Sequence, residues 1–330
     1  MKRVRYEDWA LIGWQGFLLR VPAEWNPGRI SGDFKSGSVR LDDAEVIRLE
    51  VEWREGQGDA SVSRIADRFV EGLTKEVQRK KGRLEIKRRL DLAGDRLPDS
   101  EQELLFWEAD CRVYALVRRC APSNRIVFIR IIGRLDEDLT GVARDIFLTV
   151  EDQAREGAIQ WALYDLQCGI PPGFELETSV LRSGHIQLRF THGQSALQVD
   201  RLSMASLLLK ERPLQAWFEN FFHKELRDLD VTFQPCQVRG HRGIRASGNP
   251  RSRWRTMLSP LPLFNVRKRL GIEGCAWHCP ESNKIYAVLT FYKKEGDAIP
   301  VEEVCRGVVC HKTESADQPR GDARVQAPAE

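Results

Sequence analysis

One stretch of this chain is written twice, and that constrains the fold more than any other feature. Residues 119–129 read RCAPSNRIVFI and residues 278–288 read HCPESNKIYAV. In register, Cys120 meets Cys279, Ser123 meets Ser282, Asn124 meets Asn283, Arg125 meets Lys284 and Ile126 meets Ile285. Asn tolerates left-handed backbone, and Pro and Ser favour turn starts. An apolar run of strand composition follows each polar cluster. Each copy predicts a β-hairpin, and its recurrence predicts a tandem duplication of the unit that contains it.

The signals around the two hairpins fall in the same order. A short strand ends at Pro22 in GFLLRVPAEW and at Pro171 in LQCGIPPGF. Two strand-like runs follow in each half: SGSVRL then VIRLEVEWR, and SGHIQL then LQVDRL. The Ser36–Gly37 and Ser183–Gly184 pairs align, as do Leu49/Val51 with Leu197/Val199. Apolar residues every fourth position then predict a helix: Ile65, Phe69, Leu73 and Val77 in the first half, Leu214, Phe218, Phe222 and Leu226 in the second. Ser61 or Ser63 caps the first helix, Gly82 ends it, and Pro213 opens the second. Another strand follows (LEIKRRLDL; VTFQPCQV), then the hairpin, then a last helix, LTGVARDIFL or VEEVCRGVVC.

Strands in antiparallel runs with two helices per unit predict an α+β fold of two tandem layered domains, each a mainly antiparallel sheet with flanking helices. The expected bounds are 1–155 and 156–311, with a polar, disordered tail at 312–330. At 330 residues there is length for two cores. The opening GFLLRVPAEW, together with the element order, resembles the PsbP-like (Mog/PsbP-type) fold. The second half departs from that motif, with Phe174 in place of Trp25. The resemblance implies a non-catalytic binding or assembly protein.

A net charge of +3 excludes a polyanion binder driven by bulk charge alone. The N-terminal stretch lacks the apolar core of a signal peptide, and no run is long enough to span a bilayer. With eight cysteines and no secretion signal, the expectation is a cytoplasmic protein with reduced thiols and no membrane contact.

Reactive residues concentrate in the second half, which holds all six histidines and six of the eight cysteines. Cys275, His278 and Cys279, with Cys305, Cys310 and His311 further on, are the residue types zinc takes. Their spacings are looser than zinc knuckles, and Cys305 and Cys310 align with Ala143 and Leu148 on the inner stripe of the last helix. Buried free cysteine packs as a small hydrophobe, so Cys305 and Cys310 are expected in the core without a metal. No cofactor is expected.

A basic insertion near 249–270 has no counterpart in the first half. It carries Arg251, Arg253, Arg255, Arg267, Lys268 and Arg269 around Trp254 and Phe264, with no acid among them. Guanidinium groups beside an aromatic suit carboxylates, phosphates or stacked bases. GHRGIRASG at 240–248 adds His241, Arg242 and Arg245 among glycines that either present amides to an anion or let a strand bend. No nucleophile elbow is present, and the carboxylate pairs Asp42–Asp43 and Glu302–Glu303 read as solvated. Trp9, Trp14, Trp25, Trp53 and Trp107 read as packing residues.

The sequence therefore predicts a non-catalytic interaction or accessory protein, an internal pseudo-dimer that binds a protein through its second half. Two other classes stand beside it: a nucleic-acid module using the Arg/Trp insertion, and an enzyme or metalloprotein using the second-half histidines and cysteines.

Overall fold

The computed structural model describes residues 9–311 apart from 57–60, 93, 95–96, 98–100, 122, 154–156, 211, 252–270, 294–298 and 300. It is a mixed α+β structure with three antiparallel sheets and few helices. The chain opens with a hairpin, β1 (Trp9–Trp14) and β2 (Phe17–Pro22). A meander follows, β3 (Asn26–Gly32), β4 (Ser36–Asp42) and β5 (Ile47–Glu55), then helix α1 (Val62–Arg79). A second meander runs through β6 (Glu85–Arg88), β7 (Gln102–Glu108), β8 (Arg112–Cys120) and β9 (Arg125–Gly133). Helix α2 (Thr140–Leu148) and the short β10 (Glu151–Asp152) close the first half.

The second half has the same plan. Its hairpin is β11 (Ile159–Leu163) and β12 (Leu166–Ile170), and its first meander is β13 (Glu175–Arg182), β14 (His185–His192) and β15 (Ser195–Ser203). Three short helices come next, α3 (Ala205–Leu209), α4 (Leu214–Phe221) and α5 (His223–Leu226). The second meander is β16 (Leu229–Val238), β17 (His241–Pro250), β18 (Gly271–Cys279) and β19 (Lys284–Tyr292), followed by α6 (Val301–Gly307). The two seven-stranded sheets share one strand order, β3-β4-β5-β9-β8-β7-β6 and β13-β14-β15-β19-β18-β17-β16.

Alternation explains the sheets. In β5, Leu49, Val51 and Trp53 are at most 3% exposed, while Glu50 and Glu52 face outward and pair with Arg130 on β9. The repeated turns also form as their residues demand, with Asn124 and Asn283 at φ 51 and 50, the left-handed region Asn tolerates. Ser61 caps α1, its Oγ accepting the Arg64 amide at 3.4 Å. Val62, Ile65 and Ala66 are buried against the sheet, and Phe69 packs edge-on to Phe128 at 4.6 Å.

Several expectations are corrected. Lys81 (φ 54), not Gly82, takes the left-handed position after α1, and the Gly82 amide closes the helix by donating to the Val77 carbonyl. The second-half helix is not continuous. Trp217, Phe221 and Phe222 crowd one turn, with Trp217 stacked on Phe221 at 5.1 Å, and the chain breaks between α4 and α5. Cys310 is buried but not on the last helix, because α6 stops at Gly307 and Val309 bridges to Gln167. The carboxylate of Asp43 is not merely solvated: it accepts the Glu45 and Val46 amides and pairs with Arg48. Trp14, Trp25, Trp53 and Trp107 are buried, as packing residues.

The hairpins of the two halves form one sheet, ordered β10-β2-β1-β11-β12, with Gly13 opposite Ala162. A Cβ on Gly13 would lie 2.9 Å from the Ala162 nitrogen, so glycine is what lets β11 approach. An aromatic chain crosses this layer. Phe17 meets Trp53 at 5.2 Å, Trp14 meets Trp161 at 4.9 Å, and Trp161 meets Phe190 at 4.9 Å. The largest core accordingly draws residues from both halves. Among the described residues no helix is long and apolar enough to cross a membrane.

Candidate functional site

Strand parity and the meander bring four potential ligands to one place. Cys279 ends β18 on its core-facing side, with Cys275 and Trp277. In the β17–β18 pairing Gly243 stands opposite Trp277. Continuing that register two residues places His241, the first residue of β17, across from Cys279. The turn before it, Arg239 (φ 49) and Gly240 (φ 84), is a tight two-residue link from β16 to β17. Cys310 and His311 arrive from the other direction, on the segment after α6 that the Val309–Gln167 bridge pins to β12. One ligand atom from each of His241, Cys279, Cys310 and His311 lies within 4.8 Å of the others.

The geometry centres on His311 Nδ1. It is 3.2 Å from His241 Nε2, 3.3 Å from Cys310 Sγ and 3.5 Å from Cys279 Sγ. The outer nitrogen of His241, Nδ1, is 3.7 Å from the Glu281 carboxylate. His241, Cys279 and Cys310 are buried and His311 is half-buried. Burial pushes His241 below its ordinary pKa and the Cys310 thiol above its own.

A second sulfur cluster lies nearby but differs in kind. Cys236 and Cys275 have sulfurs 3.6 Å apart, and Cys305 adjoins Cys275. The Cys305 thiol and burial push Cys275 up, while burial first, and then Cys275, raise Cys236 to about 12. Raised in this way, Cys236 and Cys275 stay protonated at neutral pH, and Cys305 packs in the core at 2% exposure. Of the sequence candidates Cys275, His278 and Cys279, the structure thus brings only Cys279 to the four-residue cluster. His278 points to the other face, and His241, read as part of an anion loop, joins instead.

The remaining candidates separate. Arg245 is paired with Glu273 at 2.9 Å and with Glu302, so neither the arginine nor that carboxylate is simply solvated. Gly243 and Gly248 serve close packing, a Cβ on Gly243 lying 2.7 Å from the Ala276 carbonyl oxygen, whereas Gly240, with nothing within 4 Å, supplies the positive φ of the turn. Arg242 is exposed. Arg251 is exposed beside Asp230 at 3.0 Å. Arg253, Trp254, Arg255, Arg267, Lys268 and Arg269 lie outside the described residues, as does the tail 312–330.

A surface feature that the sequence reading passed over sits on α3. Met204, Leu207 and Leu208 occupy one face of this turn at 54%, 52% and 37% exposure. Among the described residues the other exposed large apolar side chains, Leu135 and Tyr164, are isolated from it in sequence. Both ends of α3 are left-handed non-glycine residues, Met204 (φ 60) and Lys210 (φ 35). Such backbone costs about 1–3 kcal/mol per residue and persists where the surroundings enforce it. Asn283 of the repeated turn does so at the Met204 end, its side chain accepting the Ser206 amide at 2.9 Å and its carbonyl the Ala205 amide at 3.0 Å. Exposed Lys210 and Arg212 flank the apolar face.

A concavity of about 760 Å³ lies in the first half between Glu24, Asp43, Glu45, Arg48 and Arg134. Asp43, Glu45, Arg48 and Arg134 are committed to ion pairs. Arg48 pairs with Asp43 and, at 2.6 Å, with Glu137, whose pKa is lowered to about 2 chiefly by that hydrogen bond, while Arg134 pairs with Glu45. Carboxylates held this low do not exchange protons near neutrality.

No family model matches the chain, and no curated protein matches it. Among solved structures, the apo form of the immunity protein TplEi of the T6SS from Pseudomonas aeruginosa aligns over 92% of this chain and 98% of that one. The identity is 12% and the TM-score 0.34, too slight a likeness to carry an argument about fold or function.

Proposed function

We propose that the chain is a non-catalytic interaction or assembly protein, a tandem pair of PsbP-like units that holds a protein partner through its second half. The observation that carries this reading is the face of α3. Three large apolar side chains stand in water on a turn whose two ends are strained. Exposed apolar clusters rimmed by charge mark protein contacts. With Lys210 and Arg212 at the rim, the matching partner is a protein surface with an apolar pocket edged by carboxylates. The basic insertion extends the same preference. The eight free thiols fit a reducing compartment such as the cytoplasm.

The test replaces Leu207 and Leu208, residues outside the buried core of the free chain, together by Asp. Affinity capture followed by mass spectrometry, with and without nuclease, is compared between wild type and variant. The expected result is loss of a specific protein at an unchanged melting temperature, with no effect of nuclease. Release of the captured material by nuclease favours the nucleic-acid reading instead. Identical capture by both forms removes α3 from the contact.

A further inference from the structure

We propose that His241, Cys279, Cys310 and His311 form a structural zinc site that fastens the segment after α6 to strands β17 and β18 of the second seven-stranded sheet. The argument is geometric. Zinc binds sulfur at about 2.3 Å and imidazole nitrogen at about 2.0–2.1 Å, tetrahedrally. The edges of such a tetrahedron are about 3.3–3.4 Å between two nitrogens and about 3.5–3.6 Å between nitrogen and sulfur. The distances from His311 Nδ1 are 3.2 Å to nitrogen and 3.3 and 3.5 Å to the sulfurs. Three edges of the figure are therefore in place, with every ligand atom within 4.8 Å of the rest.

Chemistry agrees with the geometry. Two thiolates and two neutral imidazoles are an S2N2 set, which selects zinc over the hard cations that need oxygen. Two thiolates also cancel the charge of the ion, so the loaded site is neutral, as its burial requires. Binding displaces the two thiol protons to solvent. The free nitrogen of His241 faces Glu281 at 3.7 Å, the carboxylate partner that metal-bound histidines characteristically have. Four protein ligands leave no open position, so the site is structural and adds no catalytic step.

The first half serves as an internal control. Cys120 stands where Cys279 does, at the end of β8, and is buried. The positions aligned with Cys310 and His311 are Leu148 and Thr149, and Thr149 instead accepts the Arg20 amide through its hydroxyl at 2.9 Å. The same strand order is thus built once without these ligands, so packing does not require them in the second half.

The test uses the full chain, freed of any affinity tag and purified without chelator from zinc-containing medium. Elemental analysis is expected to give one zinc per chain. Cobalt exchange is expected to give the intense visible bands of tetrahedral, thiolate-ligated Co2+. His311→Ala, at a half-buried position, should weaken zinc binding at least about 10-fold in competition with a chromophoric chelator. Cys279→Ser should lose the cobalt–sulfur signature, and Cys111→Ser, in the first half, should change neither. Folded wild-type chain with less than about a tenth of an equivalent of zinc and no tetrahedral cobalt spectrum would overturn the proposal. So would unaltered zinc affinity in both ligand variants, or an intact mass showing a Cys279–Cys310 disulfide in fresh protein.

Discussion

Arg125 offers the sharpest test of how the layers are held. Its side chain is 1% exposed, and its guanidinium donates to the Gln15 carbonyl at 2.6 Å, the Phe34 carbonyl at 3.1 Å and Ser123 Oγ at 3.2 Å. It also pairs with Asp152, itself 6% exposed, and lies over the Phe34 ring at 4.1 Å. Arg125→Met keeps most of the buried stem but strands a carboxylate and two carbonyls. Removing one partner of a buried pair costs about 3–5 kcal/mol. With a urea m-value of about 3 kcal/mol/M, the midpoint should fall by about 1–1.7 M. Fluorescence and circular dichroism should be followed together, because a shared core of this size has to be shown to unfold in one step. The cost is assigned mainly to the stranded charge, so Arg125→Met with Asp152→Asn should recover about 2 kcal/mol of it. A single variant that loses under about 1 kcal/mol, or a double variant whose loss is the sum of the two singles, refutes the reasoning.

Two further outcomes follow from the geometry. Glu137 has its folded pKa lowered to about 2, so the stability it contributes is fully present above its unfolded value near 4.5 and is lost as the pH falls towards 2. Arg48→Gln should remove about 1 kcal/mol at neutral pH and flatten the fall in urea stability between about pH 5 and pH 2; an unchanged slope would contradict it. Gly243→Ala should destabilise by about 1–3 kcal/mol, since its Cβ meets backbone at 2.7 Å, whereas Gly184→Ala, with nothing within 4 Å, should stay within about 0.5 kcal/mol in the same denaturation assay.

Local signals were legible where local chemistry decides the outcome. The Asn turns, the alternation of Leu49, Val51 and Trp53 and the stripe of α1 each follow from a few neighbouring residues, and each is observed. Helix α3 was not legible because its cap, Asn283, lies 77 residues away in sequence. The Cys/His cluster was hidden for the same reason. Parity placed Cys279 on the inner face and His278 on the outer, but His241 comes from another strand and Cys310 and His311 from beyond the last helix. No spacing within one segment encodes a site assembled by the meander. The sheet that joins the two hairpins was hidden too, because the contact of Gly13 with Ala162 depends on a glycine that reads in sequence only as a gap in a strand.

The five-stranded sheet drawn from both halves sets a schedule for synthesis. When β1 and β2 leave the ribosome, the strand that must cover the free edge of β1 lies about 150 residues further along the message. At about 5–20 residues per second, that edge waits on the order of ten seconds, with the Trp14 side chain lacking its final partner Trp161. An unpaired strand edge held open that long is an invitation to another nascent chain. Translation speed across residues 15–163, more than the stability of the finished molecule, should therefore govern how much of this protein is recovered folded.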